Sequence, residues 1–205
     1  MFFNSSELYH IYNRGNNKNI LFYNDDNYLL FLKKINKEIK PFCNILCWSL
    51  LPNHFHIMIH ANERSITTRL AGKNELQELA YRIGILLSSY SQIINKQNRT
   101  TGSLFQQKTK AKSLFIPNAL KKEGRIQQQD YIINCTHYIH QNAWKAGLVE
   151  KIEDWKYSSF PDYCGIRNGS MCNKSLLLEL TGYDPHRFYK DSYEIITEDK
   201  FRNLF

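Results

Sequence analysis

The 205 residues suffice for one full domain with an appendage, and 42% hydrophobic with 22% charged residues is a globular composition rather than a disordered or fibrous one. Lys and Arg number 27 against 19 Asp and Glu, a net charge of +8 with a pI near 9.2. That balance points to a polyanionic partner, nucleic acid ahead of a membrane surface, and no apolar run is long enough to span a bilayer.

In chain order, "ELYHIYNRG" (Glu7–Gly15) alternates and ends on a turn signal, so it reads as a first strand. "NDDNYLLFLKKINKEI" opens with Asn and Asp cap candidates and spaces Tyr28, Phe31, Leu32 and Ile35 along one helical face, which Pro41 closes. "FCNILCWSLL" (Phe42–Leu51) and "HFHIMIH" (His54–His60) are two runs joined by "PN", a hairpin. A polar segment precedes Asn74–Gln97, the longest helical pattern. Ser103–Phe115 reads as a strand pair or one long bent strand, and Pro117–Gln129 as a polar loop. Asp130–Gly147 is then a helix stopped by Gly147. From Leu148 to Phe205 the chain reads as an extended tail with one helix near Lys174–Leu180. This order predicts an α+β fold: a ferredoxin-like antiparallel sheet with helices packed on one face, plus a C-terminal tail. The expected division is a core domain over 1–150 and an extension over 151–205.

The opening "MFFNSSELYH" lacks a basic region followed by an apolar stretch, so no signal peptide is expected. Five scattered cysteines (Cys43, Cys47, Cys135, Cys164 and Cys172) form no CxxC pair. Neither a zinc ribbon nor a disulfide framework is indicated, and reduced thiols in a cytoplasmic protein fit this usage.

"LPNHFHIMIH" (Leu51–His60) concentrates three of the seven histidines in one apolar run. On a strand, Phe55, Ile57 and Ile59 point one way and His54, His56, Met58 and His60 the other. His54 and His56, two residues apart, are close enough to hold one metal ion. His60 lies roughly 13 Å beyond His56, too far to share it. The competing reading is a solvated sheet face on which histidines happen to fall. Two ligands also leave a site incomplete.

The Asp130–Gly147 helix offers more donors. Cys135, Ile139, Ala143 and Ala146 fall in one narrow stripe with Ile132, the core face. Tyr131, Tyr138, Asn142 and Lys145 cluster about 100° away on its flank. Tyr138 and Asn142 are i and i+4, hence neighbours on the helix surface. If this helix packs near the histidine strand, a phenol and a carboxamide arrive beside two imidazoles. Otherwise Tyr138 is an ordinary amphipathic boundary residue.

Four ordered stretches, "LPNHFHIMIH", "GSLFQQKTKAKSL", "HYIHQNAWKAGLV" and "DWKYSSF", resemble the REP-associated tyrosine transposases, part of the single-tyrosine HUH class. The resemblance runs from about Tyr9 to Tyr163, with a weaker echo in "LLLELTGYDPHRFY". It implies a ferredoxin-like core that cleaves and rejoins single-stranded DNA, with hairpin structure, through a 5′-phosphotyrosine and one divalent metal. By motif, His54 and His56 are paired metal ligands, Asn142 a third ligand and Tyr138 the nucleophile. Two imidazoles and an amide oxygen suit Mg²⁺ or Mn²⁺, and Mn²⁺ better, because imidazole is softer than Mg²⁺ prefers. Related transposases work as dimers with shared active sites or as single chains with tails, so a homodimer is possible. The sequence departs from the family where Ala143 and Trp144 replace Pro-Val, and where Gln107 and Thr109 replace a Gly and a Tyr. These changes bear on how DNA is held rather than on the chemistry.

Lys108, Lys110 and Lys112 alternate onto one strand face, a row spaced to follow phosphates, with Arg82, Lys96 and Arg99 as candidate extensions and Lys145 beside Asn142. A solvated Lys edge that discourages strand pairing is the plainer alternative. Two rival functions stand beside a transposase: a domesticated, noncatalytic nucleic-acid module, and a small-molecule metallohydrolase. The second needs more carboxylates near the metal than this stretch has before Glu63.

Overall fold

The computed structural model describes residues 1–72, 74–115 and 122–194. Strand β1 (Leu8–Arg14) leads into helix α1 (Asp25–Glu38), then strands β2 (Cys43–Leu51) and β3 (His54–Ala61). A short helix α2 (Glu63–Ile66) and a small hairpin, β4 (Thr68–Ala71) with β5 (Asn74–Gln77), precede the long helix α3 (Glu78–Asn98). Strand β6 (Lys110–Ser113) and helix α4 (Lys122–Lys145) complete the core, followed by short helices α5 (Phe160–Tyr163), α6 (Lys174–Thr181) and α7 (Phe188–Asp191). The main sheet has the order β2-β3-β1-β6 with every neighbour antiparallel. Two crossovers, through α1 and α3, interleave its strands, the expected ferredoxin-like α+β arrangement.

Local chemistry explains the elements. Asn24 caps α1 by accepting from the Asn27 N–H at 3.1 Å, and Asp25 and Asp26 in the first turn complement its dipole. Its Tyr28, Phe31 and Ile35 are buried with Leu79, Ile83, Leu86, Tyr90 and Ile94 of α3, against Tyr9, Ile11, Phe55, Ile57 and Ile59 of the sheet. On the opposite sheet face Leu8, Leu46, Cys47 and Met58 are closed over by Ile132, Cys135 and Ile139 of α4 and Leu177 of α6. A bulge between Ile45 and Cys47 aids this cover, delivering both Leu46 and Cys47 to the same side. Helices therefore pack on both faces, where one face was expected. The reason is the apolar content of the histidine face itself.

Other boundaries shift for identifiable reasons. Asn74–Gln77, read as the start of the long helix, is extended and pairs with β4. There the Gln77 side chain accepts from the Phe3 N–H at 2.7 Å and donates to the Phe3 carbonyl at 2.8 Å. Of Ser103–Phe115 only Lys110–Ser113 is strand. The Asn13 amide donates to the Gln106 carbonyl and Thr109 Oγ1, at 3.1 and 2.8 Å, and fastens the irregular stretch before β6. The loop expected over Pro117–Gln129 is helical from Lys122, and residues 116–121 lie outside the described part. Its Lys, Glu, Arg and Gln are good helix formers that carry no apolar stripe.

The C-terminal tail folds back onto the domain. Ser159 Oγ accepts from the Trp48 N–H at 2.9 Å, and Tyr163 Oη donates to the Leu46 carbonyl. Ile152, Phe160 and Phe188 form a separate cluster against Trp144, Tyr163 and Tyr193. Two buried histidines of α4 join it: His140 Nε2 meets Ser159 Oγ and His137 Nδ1 meets Ser192 Oγ, each at 2.8 Å. All five cysteines are free, and no helix among the described residues is long and apolar enough to cross a membrane.

Burial pulls His137 down to about 4, with Asp191 opposing, and holds His140 well below its ordinary value, with His137 adding to the effect. Both are neutral when folded but protonate near 6.5 when unfolded, so their contribution is intact above pH 6.5 and is lost as the pH falls. Each should cost about 1.4 kcal/mol of stability per pH unit below 6.5, down to about pH 4 for His137. Urea unfolding midpoints between pH 7.5 and 5 measure this; a flat profile would contradict it.

Candidate active site

Alternation places one row of polar side chains on the sheet face beneath α4. His54 lies opposite Arg14, His56 opposite Tyr12, and Tyr12 and His10 lie opposite Lys110 and Lys112. Helix α4 crosses this face and lays Tyr138 on it, its ring edge-on to His56 at a centroid separation of 5.7 Å and to His10 at 6.3 Å. One turn later, Asn142 Nδ2 donates to the Tyr138 carbonyl at 2.9 Å. The Asn142 side chain is also near enough to both His54 and the Tyr138 phenol to affect their protonation, raising the pKa of the first and lowering that of the second. The i, i+4 pair on the flank of α4 therefore meets the His-x-His pair within a single chain.

His54, His56 and Tyr138 line a cleft of about 270 Å³, together with Tyr12, Asn13, Arg14, Gln106, Lys108 and Lys110. Among the described residues, no carboxylate lines it. A wider groove shares Asn13, Gln106, Lys108 and Lys110 with the cleft and continues toward Ser88 and Ser91 of α3.

Burial sets the protonation states. It holds His56 well below its ordinary value, helped by His10 and His54, and pulls His54 down to about 4, with Arg14 adding and Asn142 opposing. His10 is lowered to about 3 by burial and by Lys112 beside it. All three imidazoles are neutral, as metal ligands must be. Tyr138 is pushed up to about 12 by burial, partly countered by Asn142, so the resting phenol keeps its proton.

The donor set fits a divalent cation. His54 Nδ1 is occupied by Asn53 Oδ1 at 2.6 Å and His56 Nδ1 by His10 Nε2 at 2.8 Å, which leaves the Nε2 atoms as the outward donors. His56 Nε2 is buried with no hydrogen-bond partner among the described residues. The two rings stand edge to face with centroids 5.1 Å apart. Asn142 supplies an amide oxygen. Among the described residues no group of three or more His, Cys, Asp or Glu side chains is arranged for a metal, so a third donor would have to come from outside those types.

The remaining candidates divide. Lys108 and Lys110 are on the cleft, while Lys112 is half-buried beside His10. Lys145 is exposed in the last turn of α4, beyond Asn142. Arg82 departs from the expected row. It belongs to α3 on the other sheet face, where Glu78 and Glu38 bind it at 2.6 and 3.0 Å. An i, i+4 acid and a neighbouring helix capture it. Arg99 ends α3 in a left-handed conformation, φ 55°, and Lys96 lies in that helix's last turn, so neither lines the cleft. His60, opposite Leu8 and Asn44, also lies off the cleft. Sequence reasoning missed His10, Tyr12 and Arg14. Their shared parity in "HIYNR" was the available signal.

Neither a family model nor a curated protein matches the chain. A solved structure of a REP-associated tyrosine transposase bound to a REP hairpin is similar at 16% identity, over 80% of this chain and 83% of that one, with a TM-score of 0.54. The fold of this chain is that of a REP-associated tyrosine transposase.

Proposed function

We propose that this protein is a metal-dependent transesterase of single-stranded DNA, which cuts and rejoins a strand through a 5′-phosphotyrosine on Tyr138. The observation that carries this reading is the convergence of Tyr138, His54 and His56 in one cleft, with Lys108 and Lys110 on its lining and Asn142 beside His54 and Tyr138. A hairpin-bearing substrate is supported by the structural neighbour, which holds a REP hairpin. The groove leading on toward Ser88 and Ser91 gives the unpaired strand a continuing path. A small-molecule metallohydrolase fits less well, because the described residues of the cleft lining offer no carboxylate.

In the reaction, the Tyr138 oxygen bonds to the scissile phosphorus as the bond to the 3′ oxygen breaks. The products are a 3′-hydroxyl and a 5′-phosphotyrosine, and the phenolic proton balances the departing oxygen. One ester replaces another, so rejoining runs the same step backwards without ATP. Because Tyr138 is neutral at rest, its proton has to leave as the new bond forms. Asn142 orients the phenol, and neutral His54 and His56 do not cancel charge at the centre they would hold. A divalent cation bound by these three residues supplies positive charge against the phosphate oxygens. Lys108 and Lys110 supply more from the protein.

The test is incubation with labelled hairpin-bearing single-stranded DNA and Mn²⁺, followed by a denaturing gel. A covalent protein–DNA adduct is expected. Binding without any adduct would leave the noncatalytic nucleic-acid module instead. The lysines make a separate prediction. Lys108→Gln with Lys110→Gln should weaken DNA binding and lower the slope of log affinity against log salt by about 2, one for each phosphate no longer neutralised. Fluorescence anisotropy over a salt series reads this, and an unaltered slope would remove both lysines from the DNA.

A further inference from the structure

We infer that His10, buried on β1, is a positioning residue for the metal centre: it accepts the Nδ1–H of His56 and so commits the His56 Nε2 lone pair to the ion. The inference rests on the reading of His54, His56 and Asn142 as metal donors. Its starting point is a difference between two otherwise parallel histidines. His54 Nδ1 faces the Asn53 amide oxygen at 2.6 Å, a group that only accepts. That contact makes His54 carry its proton on Nδ1 and present Nε2 as a lone pair. His56 Nδ1 faces the Nε2 of His10 at 2.8 Å, an atom that donates in one tautomer and accepts in the other.

Only one of the two arrangements is compatible with a metal. If His10 donated, His56 would carry its proton on Nε2, an atom buried without a hydrogen-bond partner among the described residues, and could not ligate through it. If His10 accepts, the His56 proton sits on Nδ1 in a buried hydrogen bond, and Nε2 is an open donor on the His54 side. The two rings are fully buried and close to parallel, 23° apart with centroids at 5.0 Å. Both come from paired central strands, so the contact is held by the sheet rather than by a loop. An imidazole thus takes the outer role that a carboxylate or backbone carbonyl commonly plays behind a ligating histidine.

The experiment measures Mn²⁺ affinity by calorimetry on the whole protein and reads the His56 tautomer by ¹⁵N NMR of the metal-free protein. The unmodified protein should show His56 protonated on Nδ1. His10→Leu should weaken Mn²⁺ binding roughly 10- to 100-fold. His10→Gln, whose amide oxygen can stand where Nε2 did, should restore most of it. His54→Ala, run in parallel, should abolish binding. An Nε2–H tautomer at His56 in the unmodified protein overturns the assignment, whatever the variants do. So does Mn²⁺ binding that His10→Leu leaves intact while His54→Ala abolishes it. Binding unaffected by His54→Ala removes the metal centre itself, a distinct failure.

Discussion

Tyr138→Phe is expected to bind hairpin-bearing single-stranded DNA as tightly as the unmodified protein and to form no covalent adduct with it. The substitution removes one hydroxyl and keeps the ring that lies edge-on to His56. The helix is anchored by Cys135 and Ile139 in the core and by His137 and His140 on the tail, none of which it disturbs. Loss of the adduct would then report chemistry rather than folding. Tyr12 makes the experiment sharper, since it also lines the cleft and its ring stacks on His56 at 5.8 Å. Tyr12→Phe should retain the adduct. A denaturing gel on which the adduct survives in Tyr138→Phe and disappears in Tyr12→Phe would move the nucleophile to the sheet.

The second large effect separates three histidines of one strand. His54→Ala and His56→Leu should reduce metal-dependent cleavage to background, because each removes one of two nitrogen donors held in place by the strand. Leu is chosen at position 56 because that side chain is fully buried, a smaller residue would leave a cavity, and Leu brings no donor atom of its own. His60→Ala should cleave normally. His60 shares the face of the other two but lies opposite Leu8 and Asn44, away from the cleft. Single-turnover cleavage with and without Mn²⁺ makes the comparison. An equal loss in all three variants would sink the two-histidine site.

Strand parity made much of this legible. The alternation in "HFHIMIH" separates Phe55, Ile57 and Ile59 from His54 and His56, and the structure packs the first set against α1 and α3. Helical spacing likewise isolated Tyr138 and Asn142 on one flank of α4. What periodicity lacks is distance between elements. That α4 lies on the histidine face follows from Met58, Cys47 and Leu46 needing cover, a tertiary demand invisible in any one segment. Arg82 failed for a mixed reason: one acid partner, Glu78, stands one turn earlier in plain view, while the other, Glu38, is 44 residues away in sequence. His10 passed unnoticed because a single histidine in a strand carries no pattern until its neighbour across the sheet is known. The early start of α4 shows a third limit: a polar run of good helix formers has no amphipathic signature to read.

Helix α4 is gripped from three directions at neighbouring positions, with Ile139 in the core, Tyr138 over the cleft, and His137 and His140 tied to Ser192 and Ser159. A rotation that withdrew the phenol would have to break both serine hydrogen bonds and lift an aliphatic side chain out of the interior. The tyrosine is therefore a fixed post and not a swinging arm. In any exchange of strands on such a post, the travelling has to be done by the severed DNA end, which must find its new junction while the protein holds still.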